Sequence, residues 1–211
     1  GRKVRYRAFE QTLAQMDAGQ SAKGCIAVAH NRDDRAETLL FHLFRGTGLT
    51  GMGSIRPVRP SPVGRVVRPL LFCGREEIEA FLNREGIEWR EDSSNKEDMY
   101  TRNRIRNRVL PYVHEAICPS VSQHLAREAQ LLTEAADFIE NRTKEAMRRC
   151  CPKQSENSLL FHVACFCREE PFLQGQILMM GLRRLGVGRD LTGAHIEEIK
   201  KLFYLSRQSG K

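Results

Sequence analysis

GCIAVAHNRDDRAETLLFHLF, residues 24–44, joins two hydrophobic periods in one short stretch. Gly24 to Ala29 is an apolar run with β-branched members, closed by His30 and a polar turn, the pattern of a buried strand in a parallel sheet. From Asp33 onward Ala36, Leu39, Leu40, Leu43 and Phe44 recur at i, i+3, i+4, i+7 and i+8. That is an apolar stripe of helical period, with Asn31 or Asp33 available as its cap. A strand running straight into a helix predicts an α/β fold with a parallel sheet.

Upstream, RKVRYRAFEQTLAQMDAGQ predicts a helix whose Val4, Ala8, Leu13 and Met16 share a face. Downstream, GTGLTGMG (residues 46–53) predicts a glycine-rich loop. Pro57, Pro60, Pro62 and Gly64 mark turns, and RVVR at 65–68 reads as the returning strand of a hairpin. A short helix over 75–85 follows, then one more short strand at Ile87 to Trp89. Beyond Pro111 and Pro119 the pattern is helical. Residues 120–149 carry Leu125, Leu132 and Ile139 at seven-residue spacing, flanked by Leu131, Ala135 and Phe138. A short strand at Leu159 to Val163, a helix through Leu173 and Ile177, and a last helix capped by Thr192 complete the chain. The organisation expected is two domains, 1–115 and an all-helical 116–211.

The composition narrows the class. In 211 residues no apolar run approaches the ~20 that span a bilayer, and seven cysteines without a C-x-x-C pair do not make a disulfide framework. A reducing cytoplasm, free thiols and no membrane are expected. The net charge is +8; residues 1–110 hold 20 basic and 14 acidic side chains, so most of the surplus lies there. Such a surplus suits a polyanionic partner.

His30 falls at the C-terminal end of the expected parallel strand, where open α/β sheets gather ligands. Asp34 and Glu37 share a helical face opposite the leucine stripe, continued by Phe41 and Arg45. An imidazole, two carboxylates and a guanidinium suit proton abstraction, Mg²⁺ or the orientation of an amine; the plain alternative is a solvated helix start whose acids favour the dipole. Gly46, Gly48 and Gly51 have G-x-G-x-x-G spacing but close a helix instead of opening one, so either a loop approaching substrate or a simple C-cap fits. In TRNRIRNRVLP, Arg102 and Arg106 form one face and Arg104 and Arg108 another around Ile105 and Val109, a density suited to phosphates. Upstream of it, Asp92 and Asn95 belong to a polar loop. Cys165 and Cys167 alternate as on a strand, and none of the six histidines stands at zinc-ligand spacing from a cysteine.

Together HNRDDRAETLLFHLFRGTGLTGM, RPLL and WREDSSNKEDMYTRNRIRNRVLP resemble, in order and spacing, the tRNA(Ile)-lysidine synthetases, bacterial members of the PP-loop ATPase group. Arg2 to Tyr6 resembles that family's A-R-x-x-R-Y helix, and LTGAHIEEIKKL with SGK its helical domain. The resemblance implies the C-terminal part of a Rossmann-like PP-loop ATPase domain followed by helices. It also implies ATP and Mg²⁺, free L-lysine, tRNA(Ile) with a CAU anticodon, and room for a homodimer. In that family ATP adenylates the wobble cytidine and the lysine amine displaces AMP. The site residues implied are His30, Asp34 and Glu37 in H-x-x-x-D-x-x-E, Arg45, Gly46 and Gly48 after it, and Arg102, Asn103 and Arg106 in R-N-x-x-R. Arg32 and Arg35 stand where the family more often has an apolar residue and Gln, off the acidic face. The family's S-G-G-x-D-S loop precedes the helix with which this chain opens, so the chain is expected to be a fragment without that loop. Another PP-loop tRNA modifier, such as a thiolase, would call for paired cysteines; a non-catalytic RNA-binding module would not need His30, Asp34 and Glu37 together.

Overall fold

Val66 and Ile26 are the two branched residues on which the sheet closes. In the computed structural model, which describes residues 2–16, 24–52, 55–89, 101–187 and 191–208, Val66 is fully buried and Ile26 8% exposed. Strand β1 (Cys25–Ala27) runs parallel to β3 (Gly64–Val67) with Ile26 opposite Val66, and β2 (Val58–Ser61) pairs antiparallel with β3. The sheet order is therefore β1-β3-β2, the expected α/β arrangement with a hairpin strand at one edge. β3 begins on Gly64 at φ +154°, where a Cβ would lie 2.7 Å from the Gly24 carbonyl oxygen. The strand expected to be buried is covered at one point only: Ile26 is buried, while Cys25 and Ala27 are exposed.

Helix α1 (Arg2–Met16) buries only Leu13 of the face its spacing suggests. Val4 and Met16 are 70% and 66% exposed. Leu13 enters the core beside Tyr6, Val28 and Val63. Interleaved arginines leave the Val4–Met16 stripe too thin to bury. Polar handles fix the helix instead: Ser61 Oγ donates to Glu10 Oε1 at 2.8 Å, and the Arg59 guanidinium lies 4.8 Å from the centre of the Tyr6 ring.

Helix α2 (Arg32–Phe44) starts at Asn31, which accepts from the Asp34 main-chain N–H at 2.9 Å while Asp34 Oδ2 accepts from the Asn31 N–H at 3.0 Å. This reciprocal box satisfies two helix-end donors. Ala36 and Leu39 are buried as expected, but Leu43 and Phe44 are half or more exposed, and Glu37 on the acidic face and Arg35 off it are both buried, which removes the solvated alternative for Glu37. After Gly46, whose φ of +64° ends the helix, the expected loop holds a helical turn, α3 (Leu49–Met52), tied back by a bond from His42 Nδ1 to the Gly51 carbonyl. A 3₁₀ turn over Pro69–Phe72 buries Leu71 and leads into α4 (Arg75–Arg84). Residues 87–89 form no strand; Ile87 and Trp89 are exposed. Asp92, Asn95 and Gly53 lie outside the described residues.

The arginine-rich segment folds as α5 (Thr101–Arg104), a π-helical stretch over Ile105–Val109, and α6 (Leu110–Ala116). Leu110 N–H donates to Ile105 O, an i→i+5 bond. This widened turn immediately precedes Pro111, whose ring would crowd a regular α-helical turn. Helix α7 (Val121–Cys150) is unbroken, as its sequence predicts. Its most buried line runs through Ala126, Ala129, Thr133, Ala136, Thr143 and Ala146, while Leu131 and Phe138 are exposed.

The chain comprises two compact units, Gly1–Glu134 and Ala135–Lys211. The second is not wholly helical. A two-stranded hairpin, β4 (Lys153–Gln154) with β5 (Leu159–Leu160), precedes α8 (Val163–Phe166), α9 (Pro171–Arg184) and α10 (Gly193–Gln208). Cys165 lies on α8 and Cys167 caps it, in place of the expected strand. The core there is aromatic: Phe166 is fully buried, 4.1 Å from the Phe203 ring centre and 5.9 Å from that of Phe161. Phe166→Ala should lower unfolding free energy by about 3–5 kcal/mol, and Phe172→Ala, on the exposed side of α9, by under ~0.5 kcal/mol. Urea denaturation checks this; equal effects would remove Phe166 from the centre of the core.

Candidate functional site

The first turn of α2 is pinned from one side by the start of α4. Arg32 N–H donates to the Cys73 carbonyl at 2.9 Å, Arg75 N–H donates to Asp33 Oδ2 at 2.7 Å, and Arg32 Nη2 lies 3.2 Å from Glu77. Asp33 thus serves the neighbouring helix, and Asn31 is the cap of its own. With α2 held this way, Asp34 and Glu37, three residues apart, face the arginine segment.

Arg102 and Arg106, four residues apart, meet them. Arg106 Nε donates to Glu37 Oε1 at 2.5 Å and its Nη2 to Glu37 Oε2 at 2.9 Å, the two-pronged geometry of a guanidinium on a carboxylate. Arg102 Nε donates to Glu37 Oε2 at 3.0 Å. Both arginines reach Asp34 Oδ1, Arg102 at 3.2 Å and Arg106 at 3.1 Å. The Glu37 side chain is 2% exposed and Asp34 16%, against 27% for Arg106 and 41% for Arg102. Burial opposes the charge on Arg106, but the hydrogen bond and attraction of Glu37, with Asp34 and Asp33 behind it, outweigh this and raise its pKa. Ile105, 2% exposed, anchors the segment between the two arginines.

All four carboxylate oxygens of Asp34 and Glu37 are thereby engaged, Asp34 Oδ2 by the Asn31 N–H and the other three by guanidinium N–H groups. A cation such as Mg²⁺ needs a set of oxygens facing it, and this pair does not fit one while the arginines hold it. A cleft of about 470 Å³ opens beside the cluster, lined among others by Asn31, Asp33, Glu37, Arg75, Arg106 and His114.

His30 stands three residues beyond β1, where its Nδ1 accepts from Arg68 Nε at 3.2 Å. Arg68 immediately follows β3, so both residues lie at the C-terminal ends of the parallel pair. Arg68 is a residue that the sequence left as the end of a strand; its signal is a charge closing an apolar β run just before Pro69. Arg45, Gly46 and Gly48 are at the opposite end of α2, about 16 Å along the helix from Asp34. There Arg45 is exposed and stacks over Phe41 at 5.1 Å. Asn103 is half-buried on α5, and Arg104 and Arg108 are exposed. Arg35 is 4% exposed; its Nη2 donates to the Ile55 carbonyl at 3.2 Å, its Nε has no hydrogen-bond partner among the described residues, and burial lowers its pKa against the attraction of Glu134.

In the second unit Cys150 Sγ lies 2.9 Å from Cys165 Sγ and 3.7 Å from Glu169 Oε1, and all seven cysteines are free thiols. Burial first, then Cys165 and Glu169, push the Cys150 thiol well up, so it stays protonated. Arg149 already holds Glu169 Oε1 at 2.7 Å.

Residues 1–113 match the PP-loop domain family, and the chain belongs to it. Among curated proteins it is similar to the tRNA(Ile)-lysidine synthase of Caldanaerobacter subterraneus subsp. tengcongensis, 41% identical over 156 residues that cover 74% of this chain and 32% of the relative. It is also similar to that of Geobacter sulfurreducens, 33% identical over 213 residues covering 100% and 43%, and to that of Parabacteroides distasonis, 39% identical over 205 residues covering 97% and 44%. The chain thus spans roughly a third to under half the length of these relatives. Among solved structures, the U34-tRNA thiolase NcsA of Methanococcus maripaludis aligns with 64% of this chain and 44% of its own, at TM-score 0.45 and 12% identity. No helix among the described residues is long and apolar enough to cross a membrane.

Glu37→Gln keeps the shape of the side chain but removes the more buried of the two charges that Arg102 and Arg106 share, leaving only Asp34. Discounted for the exposure of Arg102, the loss should be about 2–3 kcal/mol. Arg104→Ala should stay within ~0.5 kcal/mol. Chemical denaturation measures both; a neutral Glu37→Gln would make the pairing incidental.

Proposed function

We propose that this chain is the substrate-facing part of a tRNA(Ile)-lysidine synthase, which uses ATP to join free L-lysine to the wobble cytidine of tRNA(Ile) bearing the CAU anticodon. One observation carries the reading. The H-x-x-x-D-x-x-E and R-N-x-x-R elements, 65 and more residues apart, converge as a single ion-paired cluster beside the ends of parallel strands, in a chain whose relatives bear that name. Residues 1–115 are assigned to the catalytic domain and 116–211 to a helical domain that meets the tRNA. Mg²⁺ in such an enzyme is assigned to groups other than Asp34 and Glu37.

The chemistry asks for an amine that has lost a proton and for a site that holds the phosphate of the departing AMP. An incoming lysine ammonium can replace the longer contacts of Arg102 at Asp34, 3.2 and 3.4 Å, because Arg102 is the most exposed member of the cluster. Asp34 Oδ1 then holds the amine and takes its proton, while the released Arg102 turns to phosphate. Glu37 stays bound to Arg106 and keeps the helix start in register. The exposed Arg104 and Arg108 are assigned to the RNA backbone, and the surplus of positive charge in residues 1–110 supports the same partner.

The test is a chimera in which this chain replaces its matched segment of the Geobacter sulfurreducens relative, assayed for ATP-dependent transfer of labelled lysine to tRNA(Ile). Asp34→Asn, which keeps shape and hydrogen bonding, should reduce transfer by ~100-fold or more, the scale of general-base loss, with tRNA binding retained. Asp33→Asn should cost far less. A chimera that folds and binds tRNA but transfers no lysine, or equal effects of the two substitutions, contradicts the proposal.

A further inference from the structure

Arg68 is an unusual neighbour for an imidazole. It is 5% exposed, and among the bonds that hold it, its main-chain N–H donates to the Pro57 carbonyl at 2.9 Å, Nη1 donates to the Arg56 carbonyl at 2.5 Å, and Nε donates to His30 Nδ1 at 3.2 Å. A guanidinium offers five N–H donors and no acceptor, and it does not lose its proton in a protein. The ring nitrogen facing it must therefore be bare. A neutral imidazole with a bare Nδ1 carries its proton on Nε2, on the far side of the ring.

From this geometry we infer that Arg68 locks His30 in the Nε2–H form, so that His30 serves the reaction as a hydrogen-bond donor and not as its general base. Protonating Nδ1 would set two N–H donors and two positive charges against each other beside a buried guanidinium, so the ring can take a proton at Nδ1 only by breaking from Arg68. Nε2, already protonated, cannot accept one. The device depends on the parallel pairing: β1 and β3 run side by side, and the residues just past their C-terminal ends fall into hydrogen-bond contact. A neutral N–H donor at that edge, backed by a fixed cation, belongs to the end of the sheet where α/β folds bind anionic groups, and in the proposed role it would favour negative charge developing on a substrate oxygen. Proton removal is left to the carboxylates. Arg68 is on this account a positioning residue acting through His30, and its catalytic meaning rests on the proposed function.

The tautomer itself can be read without turnover. In the ¹⁵N-histidine-labelled chain at neutral pH, long-range ¹H–¹⁵N spectra separate bare from protonated ring nitrogens, and a His30→Gln variant assigns the His30 signals among the six histidines. The expected result is a bare Nδ1 and a protonated Nε2 at His30. Arg68→Met, which keeps the stem and loses the donor, should shift the tautomer ratio by about tenfold toward a mixture, the worth of a charge-assisted hydrogen bond. Arg68→Lys, which retains a cationic donor, should restore much of the preference. A protonated Nδ1 in the unmodified chain, or an unchanged His30 pattern in folded Arg68→Met, overturns the inference. Should Arg68→Met fail to fold, the unmodified spectrum alone decides. Because ring nitrogens are observed and not lysine transfer, failure of the proposed function would leave this result standing.

Discussion

A carboxylate as buried as that of Glu37 stays ionised only with a partner at hand, and two guanidiniums supply it. That requirement organises the first unit around the proposed site. It draws residues 101–109 onto the first turns of α2, buries Ile105 beneath them, and places the widened π-helical turn where the chain must still pass Pro111. On the other side of the same helix start, Asn31, Cys73 and Arg75 satisfy main-chain and carboxylate groups that would otherwise be strained or unpaired. The helix start is thus clamped from both sides, and the strand preceding it delivers His30 to Arg68.

The cluster sets two carboxylates against two arginines, which suits the proposed reaction, one that would hold both an ammonium and a phosphate. A site made only of carboxylates would trap a cation, and one made only of arginines would trap a nucleotide. On the proposed reading each sign is stored against the other until substrate arrives, and the unequal burial of the two arginines sets which would give way. Arg106 holds Glu37 with both prongs and is the more buried; Arg102 holds by longer bonds and is nearer to solvent.

Much of this was legible in the sequence. The strand into helix at 24–44, the returning strand at 65–68 and the long helix from Val121 follow from local period and turn residues, and His30, Asp34 and Glu37 stand out by placement. What local pattern could not reveal is partnership. Asp34 and Glu37 fit a solvated helix start as well as a reactive cluster until residues 65 and more positions away are brought in, and Arg102 and Arg106 look ready for phosphate for the same reason. Arg68 went unnoticed because its value lies in a neighbour 38 positions earlier. In α7 the leucine spacing pointed to one face, but alanines and threonines provide the most buried line.

The claim on which the rest depends is that Glu37 and Arg106 are energetically coupled, and a double-mutant cycle measures that directly. Glu37→Gln, Arg106→Met and the double variant, each followed by urea denaturation in the intact chain, give the interaction free energy after solvation and packing losses cancel. The account predicts a favourable coupling of about 1.5–3 kcal/mol, the range of hydrogen bonds between charged groups. Effects that add to within ~0.5 kcal/mol would contradict it, leaving the buried carboxylate without the role assigned to it.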